Sequence, residues 1–199
     1  MKIFFLLLIF FSQHCFSQWN PNPTDSRLLN TARSTFEHKE NDIYVYNVKT
    51  DTGNYTCIIT LLKATDCLLF SYSIPEKSLS GKMNVTREAI NNATKYATFF
   101  SDKGTDSTAI SILWLSKKNM TELYLLKETT MDMGNGNENF HKAKNSIIKI
   151  NFKGKQKIFT VYNIANEKGT IHVSVISDIR NPLIVKCDGP LNISLKEIR

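Results

Sequence analysis

Two positions carry residue types that enzymes use for acid–base chemistry, and the first is a carboxylate in a polar stretch. Asp51-Thr52-Gly53 matches the tripeptide with which aspartic proteases present one of two carboxylates that share a proton. In those enzymes an apolar strand directly precedes the aspartate, whereas here Lys49 and Thr50 precede it. We therefore expect a polar turn between two strands, with Asp51 as a candidate general acid or base of a hydrolase.

Histidine supplies the second candidate, because its ring titrates near neutral pH. His141 is the alternative general acid or base. None of His38, His141 and His172 has another histidine four residues away, so a zinc site on a helix is unsupported. Residues 135–139 alternate asparagine as a calcium loop does, without its glycine and distal glutamate. No Gly-x-Ser-x-Gly elbow or phosphate-binding loop occurs. The favoured interpretation thus assigns no catalytic, cofactor-binding or metal-binding residue.

The composition is that of an ordinary globular protein. Of 199 residues, 42% are hydrophobic and 22% are charged, which predicts one domain. Four cysteines, eight glycines and five prolines exclude a dense disulfide scaffold and a fibrous or low-complexity architecture.

The net charge of +7 is concentrated in the C-terminal part of the chain. Residues 142–199 carry 11 Lys and Arg against 4 Asp and Glu, whereas residues 18–141 carry 13 against 14. The basic part either meets an anionic partner, such as lipid headgroups or acidic glycan, or is a solvated face whose lysines oppose aggregation. We favour the solvated face, and nucleic acid is not expected, because basic and aromatic residues do not alternate there.

The N-terminus has the pattern of a secretory signal peptide over residues 1–17. Lys2 precedes an apolar run at residues 3–11, which is too short to span a bilayer. The signal peptide would direct the chain to the periplasm or the medium and be removed by cleavage after Ser17. Lipidation of Cys15 is the alternative, disfavoured by the bulky residues that precede it. No later stretch approaches 18 apolar residues, so no transmembrane segment is expected after cleavage.

Three cysteines follow the signal peptide, so at least one thiol is free. A two-residue turn at Ala64-Thr65 would place Cys67 opposite Leu62. Cys57 would then lie about 16 Å away along the strand and on the other face, which disfavours a bridge between the two in that register. Buried free thiols are favoured at Cys57 and Cys67, and the disulfide state of Cys57, Cys67 and Cys187 stays open.

Five Asn-x-Ser/Thr sequons could indicate glycosylation outside the cell. They begin at Asn54, Asn84, Asn92, Asn119 and Asn192. With 19 Asn and 34 Ser and Thr in 199 residues, about three would occur by chance, so their use stays open.

Residues 18–41 form a polar N-terminal arm, and residues 42–199 are predicted to form a single β-rich domain. Its first part alternates short elements of both kinds. We expect strands at 43–48, 55–62, 67–73 and 109–115, helices at 87–100 and 117–126 with Thr86 and Ser116 as caps, and a loop or wide hairpin at 128–141.

The C-terminal part shows five β-type runs at near-regular spacing. They cover residues 147–152, 158–164, 171–176, 183–187 and 191–198. In the first run Ile148, Ile150 and Phe152 alternate with Lys149, Asn151 and Lys153, as expected for a strand with one buried and one wet face. The short connections exclude helical crossovers and predict an antiparallel meander. The expected fold class is α+β and β-dominated, with a curved, half-barrel-like sheet and two short helices packed on it.

Several segments resemble uncharacterised exported proteins of Bacteroidetes, in the signal peptide and, beyond it, over about residues 82–199. The resemblance rests on the following segments of this chain: Cys15-Phe16-Ser17-Gln18, Thr86-Arg87-Glu88-Ala89-Ile90-Asn91-Asn92-Ala93-Thr94, Leu113-Trp114-Leu115-Ser116-Lys117-Lys118, Asn181-Pro182-Leu183-Ile184-Val185-Lys186 and Ile193-Ser194-Leu195-Lys196-Glu197-Ile198. It departs at Cys187-Asp188-Gly189-Pro190, where those proteins have a longer glycine-containing tract. The resemblance implies export and no residue role, and its meander is similar to the curved sheets of envelope lipid-handling proteins.

Three functions are compatible with these patterns. The favoured one is a non-enzymatic exported protein that binds an apolar or amphipathic envelope ligand in the concave face of the sheet, unless the helices fill that concavity. The second is an envelope hydrolase that uses Asp51 or His141. The third is an assembly partner of an outer-membrane complex, docked through Lys149, Lys153 and Lys157.

Overall fold

The computed structural model describes residues 37–97, 100, 105–107, 110–189 and 191–199, and of residues 105–107 only the backbone. The predicted signal peptide and residues 18–36 of the arm lie outside the described residues, so the structure does not test cleavage after Ser17 or lipidation of Cys15. No helix in the described part of the chain is long and apolar enough to cross a membrane.

The described residues form a β-dominated α+β fold with one 14-stranded sheet, which confirms the predicted fold class. The strands are β1 (Ile43–Thr50), β2 (Gly53–Ala64), β3 (Leu68–Ile74), β4 (Leu79–Val85), β5 (Lys95–Tyr96), β6 (Thr105–Ser107), β7 (Ile110–Ser111), β8 (Glu128–Asp132), β9 (Asn137–Lys142), β10 (Ser146–Phe152), β11 (Lys155–Asn166), β12 (His172–Ile176), β13 (Ile184–Asp188) and β14 (Ile193–Ile198). The helices are α1 (Arg87–Asn92) and α2 (Lys117–Leu125), and Pro75–Lys77 forms a 3-10 turn.

The predicted C-terminal meander is present and closes into a five-stranded ring. Strands β10 to β14 pair with one another in sequence order, all antiparallel. The end of β10 then pairs with β14 at Asn151–Glu197 and Phe152–Ile198. This last pairing is parallel because the first and fifth strands of a meander run in the same direction. Closure over five strands gives the sheet its barrel-like curvature.

The rest of the sheet extends from two strands of the ring. On one side β1 pairs with β14, and the order continues through β2, β3, β4 and β6. On the other side β9 pairs with β11, and the order continues through β8, β5 and β7. The hairpin of β8 and β9 covers the residues for which a loop or wide hairpin was predicted.

Strict alternation of buried and half-buried side chains explains why the central strands form where the pattern predicts them. In β3 the buried positions are Leu68, Phe70, Tyr72 and Ile74, with half-buried residues between them. The turn from β10 to β11 is Lys153-Gly154, with φ angles of 50° and 80°. Two consecutive positive φ angles define the two-residue hairpin turn whose twist matches the flanking strands.

Both helices begin at the predicted caps, but α1 is shorter than the predicted helix over 87–100. The hydroxyl of Thr86 accepts the N–H of Ala89 at 3.3 Å, and that of Ser116 accepts the N–H of Asn119 at 3.2 Å. The chain leaves the helix at Ala93, whose ψ is 133°. Extended backbone follows because residues 95–96 join the sheet as β5.

The predicted strand at 109–115 is wrong beyond its first residues, although its burial is as expected. Only Ile110–Ser111 forms a strand, and Leu113 has a positive φ of 64°. The hydroxyl of Ser111 donates to the carbonyl of Trp114 at 2.8 Å and stabilises the turn. Residues 113–115 then pair irregularly with the start of β13, as in the bond from Ile184 N–H to Leu113 O at 2.7 Å.

The predicted register around the cysteines is also wrong, and β4 was not predicted. The loop between β2 and β3 has three residues, since Ala64 pairs with Leu68, and the strand is irregular at residue 62. Cys67 therefore lies in the turn and is half-buried, whereas Cys57 and Cys187 are buried. All three are free thiols, and burial raises the pKa of Cys57 and of Cys187 to about 12.

Candidate functional site

An open groove of about 530 Å³ crosses the outer face of four neighbouring strands, β2, β1, β14 and β13. Cross-strand pairing builds its floor, because residues in register on adjacent strands present side chains side by side. One such row joins Thr56, Asn47, Ser194 and Lys186, since each is the register partner of the next. The floor is thus a continuous row of hydroxyl, amide and ammonium groups.

A second row lies beside the first, two residues along each strand. Lys49 is the register partner of Asn54, and its N–H donates to the carbonyl of Asn192 at 2.9 Å. Asp188 completes the row, and its carboxylate forms an ion pair of 2.6 Å with Lys186. The alternate residues of these strands point into the core, so the period of two separates the polar groove from the apolar interior.

The 3-10 turn forms one wall of the groove. Its Glu76 carboxylate accepts the N–H of Thr56 at 3.0 Å. The backbone N–H groups of Glu76 and Thr56 lower the pKa of the Glu76 carboxyl, so it is the ionised form that lies at the groove. Lys77 lies over the ring of Tyr55, with its Nζ 4.1 Å from the ring centroid.

The charges of the groove balance, and its remaining polar groups are neutral. Lys49 and Lys186 are matched by Glu76 and Asp188. Three amides and two hydroxyls provide donors and acceptors in both directions. They belong to Asn47, Asn54, Asn192, Thr56 and Ser194. Such a surface favours a neutral ligand with many hydroxyl groups over a polyanion or an apolar molecule.

The two predicted acid–base residues lie apart from each other and outside this groove. Asp51 is exposed in the turn that joins β1 to β2, where a polar turn was expected. His141 is on β9, and the order of the sheet places four strands between β1 and β9. Its Nδ1 and Nε2 lie 3.5 and 3.6 Å from carboxylates of Glu128 and Glu167. The structure therefore does not combine Asp51 and His141 into one site.

The other candidate ligand residues have local structural partners. The carboxylate of Asp132 accepts the N–H groups of Gly134 and Gly136, which orders the turn between β8 and β9 where a calcium loop was considered. His172 Nε2 lies 2.9 Å from the carbonyl oxygen of Gly169. Among the described residues no group of three or more His, Cys, Asp and Glu could hold a metal ion.

A half-buried polar cluster lies where residues 37–42 meet Trp114. The His38 ring contacts Trp114 edge to face at 5.6 Å, and its Nδ1 lies 3.2 Å from the hydroxyl of Tyr44. Burial lowers the pKa of His38 to about 4, although the nearby carboxylates of Asp42 and Asp178 oppose this. His38 is therefore neutral in the folded protein at neutral pH.

The His38 cluster predicts a loss of stability in mild acid. The unfolded chain binds a proton at His38 near pH 6.5 and the folded chain only near pH 4, so this contribution is complete above pH 6.5 and disappears between these values. We expect up to about 3 kcal/mol of the free energy of unfolding to be lost in that window. Urea denaturation at pH 7 and 4.5 measures it.

His38→Gln should remove that dependence, and His172→Gln is the matched control. His172 is exposed, so its substitution should leave the pH profile of the wild type unchanged. If the free energy of unfolding fell equally between pH 7 and 4.5 in the wild type and in His38→Gln, His38 would not be the source of the pH dependence.

A second polar network is centred on the buried sequon residue Asn119. Its Oδ1 accepts hydrogen bonds from Tyr96 at 2.6 Å and Ser116 at 2.9 Å, and its Nδ2 donates to Thr129 at 2.6 Å. The side chain of Thr129 donates in turn to the carboxylate of Glu122 at 2.5 Å. Because Asn119 is 0% exposed, this sequon cannot carry a glycan in the folded protein.

Comparison of the chain with protein-family models, with curated proteins and with solved structures gave no match. The geometry described above is therefore the basis for assigning a function.

Proposed function

We propose that this protein is an exported, non-enzymatic binding protein whose groove holds a saccharide. The observation that supports the ligand class is the double row of amides, hydroxyls and paired charges across four strands. Amide and carboxylate groups match the spacing of neighbouring sugar hydroxyls. Export is supported by the signal-peptide pattern of residues 1–17.

The groove favours binding over glycoside hydrolysis. Hydrolysis needs a carboxylic acid whose pKa is raised, so that it can protonate the leaving oxygen. The pKa of Glu76 is instead lowered by backbone hydrogen bonds, and Asp188 is held by Lys186 at 2.6 Å. The alternative is a hydrolase that uses Asp51 or His141. These two residues lie on separate hairpins, so they cannot act together as an acid–base pair.

The sequence predicts an apolar or amphipathic envelope ligand, and we propose that the protein binds only the polar part of such a ligand. Apolar side chains from the sheet and both helices pack together as one core, which includes Ala89, Met120 and Leu123. This packing supports the alternative in which the helices fill the concave face. A glycolipid headgroup or a cell-wall oligosaccharide would still satisfy the groove, because only the sugar part needs to enter it.

Isothermal titration with soluble oligosaccharides tests this proposal. The panel contains maltohexaose, cellohexaose, chitohexaose, mannohexaose and xylohexaose, and we expect the protein to bind at least one of them. Asn47→Ala should weaken that binding at least tenfold, which corresponds to about 1.4 kcal/mol. The substitution removes both the N–H donors and the carbonyl acceptor of the side-chain amide. The chain length of the bound saccharide should stay unchanged after prolonged incubation.

Thr160→Ala is the matched control for the groove. Thr160 is an exposed strand residue on β11, away from the groove, so its loss should leave saccharide affinity within twofold. Absence of binding across the panel, or equal loss of affinity in both variants, would contradict the proposal.

A further inference from the structure

Strand β10 has a partly open edge. It pairs with β11 over its whole length, from Ser146–Val161 to Phe152–Lys155. On its other edge it pairs with β14 only through its last two residues, Asn151 and Phe152. Within the part of the chain that the structure describes, no strand lies beside residues 146–150 on that edge.

Hairpin geometry identifies the backbone groups at this edge. In a hairpin with a two-residue turn, the residues flanking the turn exchange hydrogen bonds, and every second residue continues the ladder. Phe152, Ile150 and Ile148 therefore point their N–H and C=O groups toward β11. Ile147 and Lys149 point theirs to the open edge, so two donors and two acceptors there have no strand partner among the described residues.

The side chains along this edge combine apolar and basic character. Ile147 is 67% exposed and Ile158 is 55% exposed, whereas ten of the eighteen isoleucines among the described residues are buried. Lys149 is the register partner of Ile158, and Ile147 is the diagonal neighbour of Ile158 on the same outer face. The outer face beside the edge thus presents Ile147 and Lys149 on β10 and Ile158 on β11.

The charged residues of the β10–β11 hairpin are all basic, although the Glu197 carboxylate of β14 accepts the Asn151 amide at 3.2 Å at the end of the edge. Residues 142–166 contain six lysines and no Asp or Glu. The three lysines predicted to share a docking face do not: Lys153 lies in the turn and pairs with Asp42 at 2.7 Å, and Lys157 lies over the ring of Phe152 at 4.7 Å. Of that set only Lys149 lies on the outer face of β10, where it is the register partner of the exposed Ile158.

We propose that the open edge of β10 receives an extended, acidic segment of a partner protein as an additional strand. The unpaired N–H and C=O groups would complete a ladder with the segment, and its alternate side chains would meet Ile147, Ile158 and Lys149. A second copy of this chain is a poor occupant, because like charges would face each other across the two edges. A lipid surface would use the charge and the isoleucines but would leave the backbone groups unpaired.

A synthetic peptide in which glutamate and valine alternate over nine residues serves as the probe. Isothermal titration should show binding at 20 mM NaCl that weakens at least tenfold at 300 mM, because exposed charges are screened. A second peptide of identical sequence, N-methylated at every second residue to remove one row of N–H groups, should bind at least tenfold more weakly. Equal binding of both peptides would overturn the proposal, because charge alone would then explain it.

Two variants test the edge on the full-length protein. Ile147→Pro removes an N–H that points away from β11, so the hairpin tolerates it while the added strand loses a donor. Ile147→Thr keeps that N–H and is its matched control. We expect at least tenfold weaker peptide binding for the proline variant and less than threefold for the threonine variant. Lys149→Glu, which keeps the backbone intact, should also weaken binding at least tenfold.

The alternative occupants give distinct results in the same set of experiments. Binding of vesicles of phosphatidylglycerol without binding of the peptide would overturn the proposal in favour of a lipid surface. A concentration-dependent dimer that Ile147→Pro dissolves would overturn it in favour of self-association. Unchanged circular dichroism of the variants shows that the hairpin is retained.

Discussion

Replacement of Trp114 by alanine is expected to lower the free energy of unfolding by about 4 kcal/mol, the cost typical of deleting a large buried aromatic side chain. The aromatic rings packed around Trp114 belong to His38, Tyr44 and Phe70, at centroid distances of 5.6, 5.7 and 5.9 Å. Its indole N–H also donates to Asn181 Oδ1 at 3.2 Å, so the variant leaves a buried amide without its partner. Equilibrium urea denaturation followed by circular dichroism measures the loss.

Two further variants separate packing from hydrogen bonding at this position. Trp114→Phe keeps most of the ring contacts and loses the N–H, so we expect a smaller loss of about 1–2 kcal/mol. Leu126→Ala is the control for removal of a large apolar side chain, because Leu126 is 65% exposed and should change stability by less than about 0.5 kcal/mol. If Trp114→Ala were as stable as Leu126→Ala, the packing described around Trp114 would be wrong.

Removal of Trp114 should also change the titration of His38. The ring of Trp114 shields His38 from water, and burial is the main reason that the pKa of His38 is about 4. Opening a cavity beside the imidazole admits water and returns its pKa toward 6.5. The Trp114→Ala protein should therefore lose less stability between pH 7 and 4.5 than the wild type does.

Asn119→Ala is expected to lower the free energy of unfolding by about 3 kcal/mol, with a fall in Tm on the order of 10 °C. The Asn119 amide is the centre of a buried network, and its loss leaves the carbonyl of Thr130 and the hydroxyl of Thr129 without their donor. The hydroxyl of Tyr96 keeps the carbonyl of Ala93 at 3.2 Å as a second acceptor, which limits the loss. Calorimetry or thermal denaturation by circular dichroism measures the shift.

Asn92 offers a matched control, since it also begins a sequon and lies on a helix. It is exposed, and its side chain donates to the exposed Glu88 at 2.8 Å. Asn92→Ala should therefore change the free energy of unfolding by less than about 0.5 kcal/mol. A Tm for Asn119→Ala within 2 °C of that of Asn92→Ala would show that the network does not stabilise the fold.

The strands could be predicted wherever alternation and turn residues act together. In β10 the alternation of Ile148, Ile150 and Phe152 with polar residues, followed by Lys153-Gly154, specifies both the strand and its hairpin. Only local chemistry is needed there, because the period of two and a turn with positive φ angles are properties of neighbouring residues.

The segment around Trp114 could not be predicted in the same way. Residues 109–115 have the apolar run of a buried strand, and the residues from Ser111 onward are indeed buried. Their conformation depends on the bond from Ser111 to the Trp114 carbonyl and on pairing with residues 182–184, some 70 positions later. An apolar run indicates burial but carries no information about which distant backbone will pair with it.

The helix α1 ends earlier than the spacing of its apolar residues predicts. Helical spacing of apolar residues continues through Tyr96, but this tyrosine leaves the helix because its hydroxyl joins the Asn119 network. Tertiary packing overrides a weak local preference for helix, particularly next to Asn91 and Asn92.

The groove illustrates what long-range pairing adds to a site. The alternation in β14 predicts that Asn192 and Ser194 lie on the wet face, and this is where they lie. In the sheet β14 is paired with β1, which comes from the other end of the domain, through pairs such as Asn47–Ser194. No local pattern predicts this pairing, so the sequence indicated Asp51 and His141 as candidate residues and not the groove.

The amino-acid sequence by itself determined the β-dominated class, the meander of the last five strands, the helix caps and the burial of Cys57. These follow from side-chain period, turn residues and capping hydroxyls, which act within a few residues. Only the tertiary structure decided that the meander closes through β10 and β14, that β1 continues the sheet beyond β14, and that β10 keeps an open edge. Such features depend on which of many similar strands meet in space, and that choice is made by the packing of the whole core.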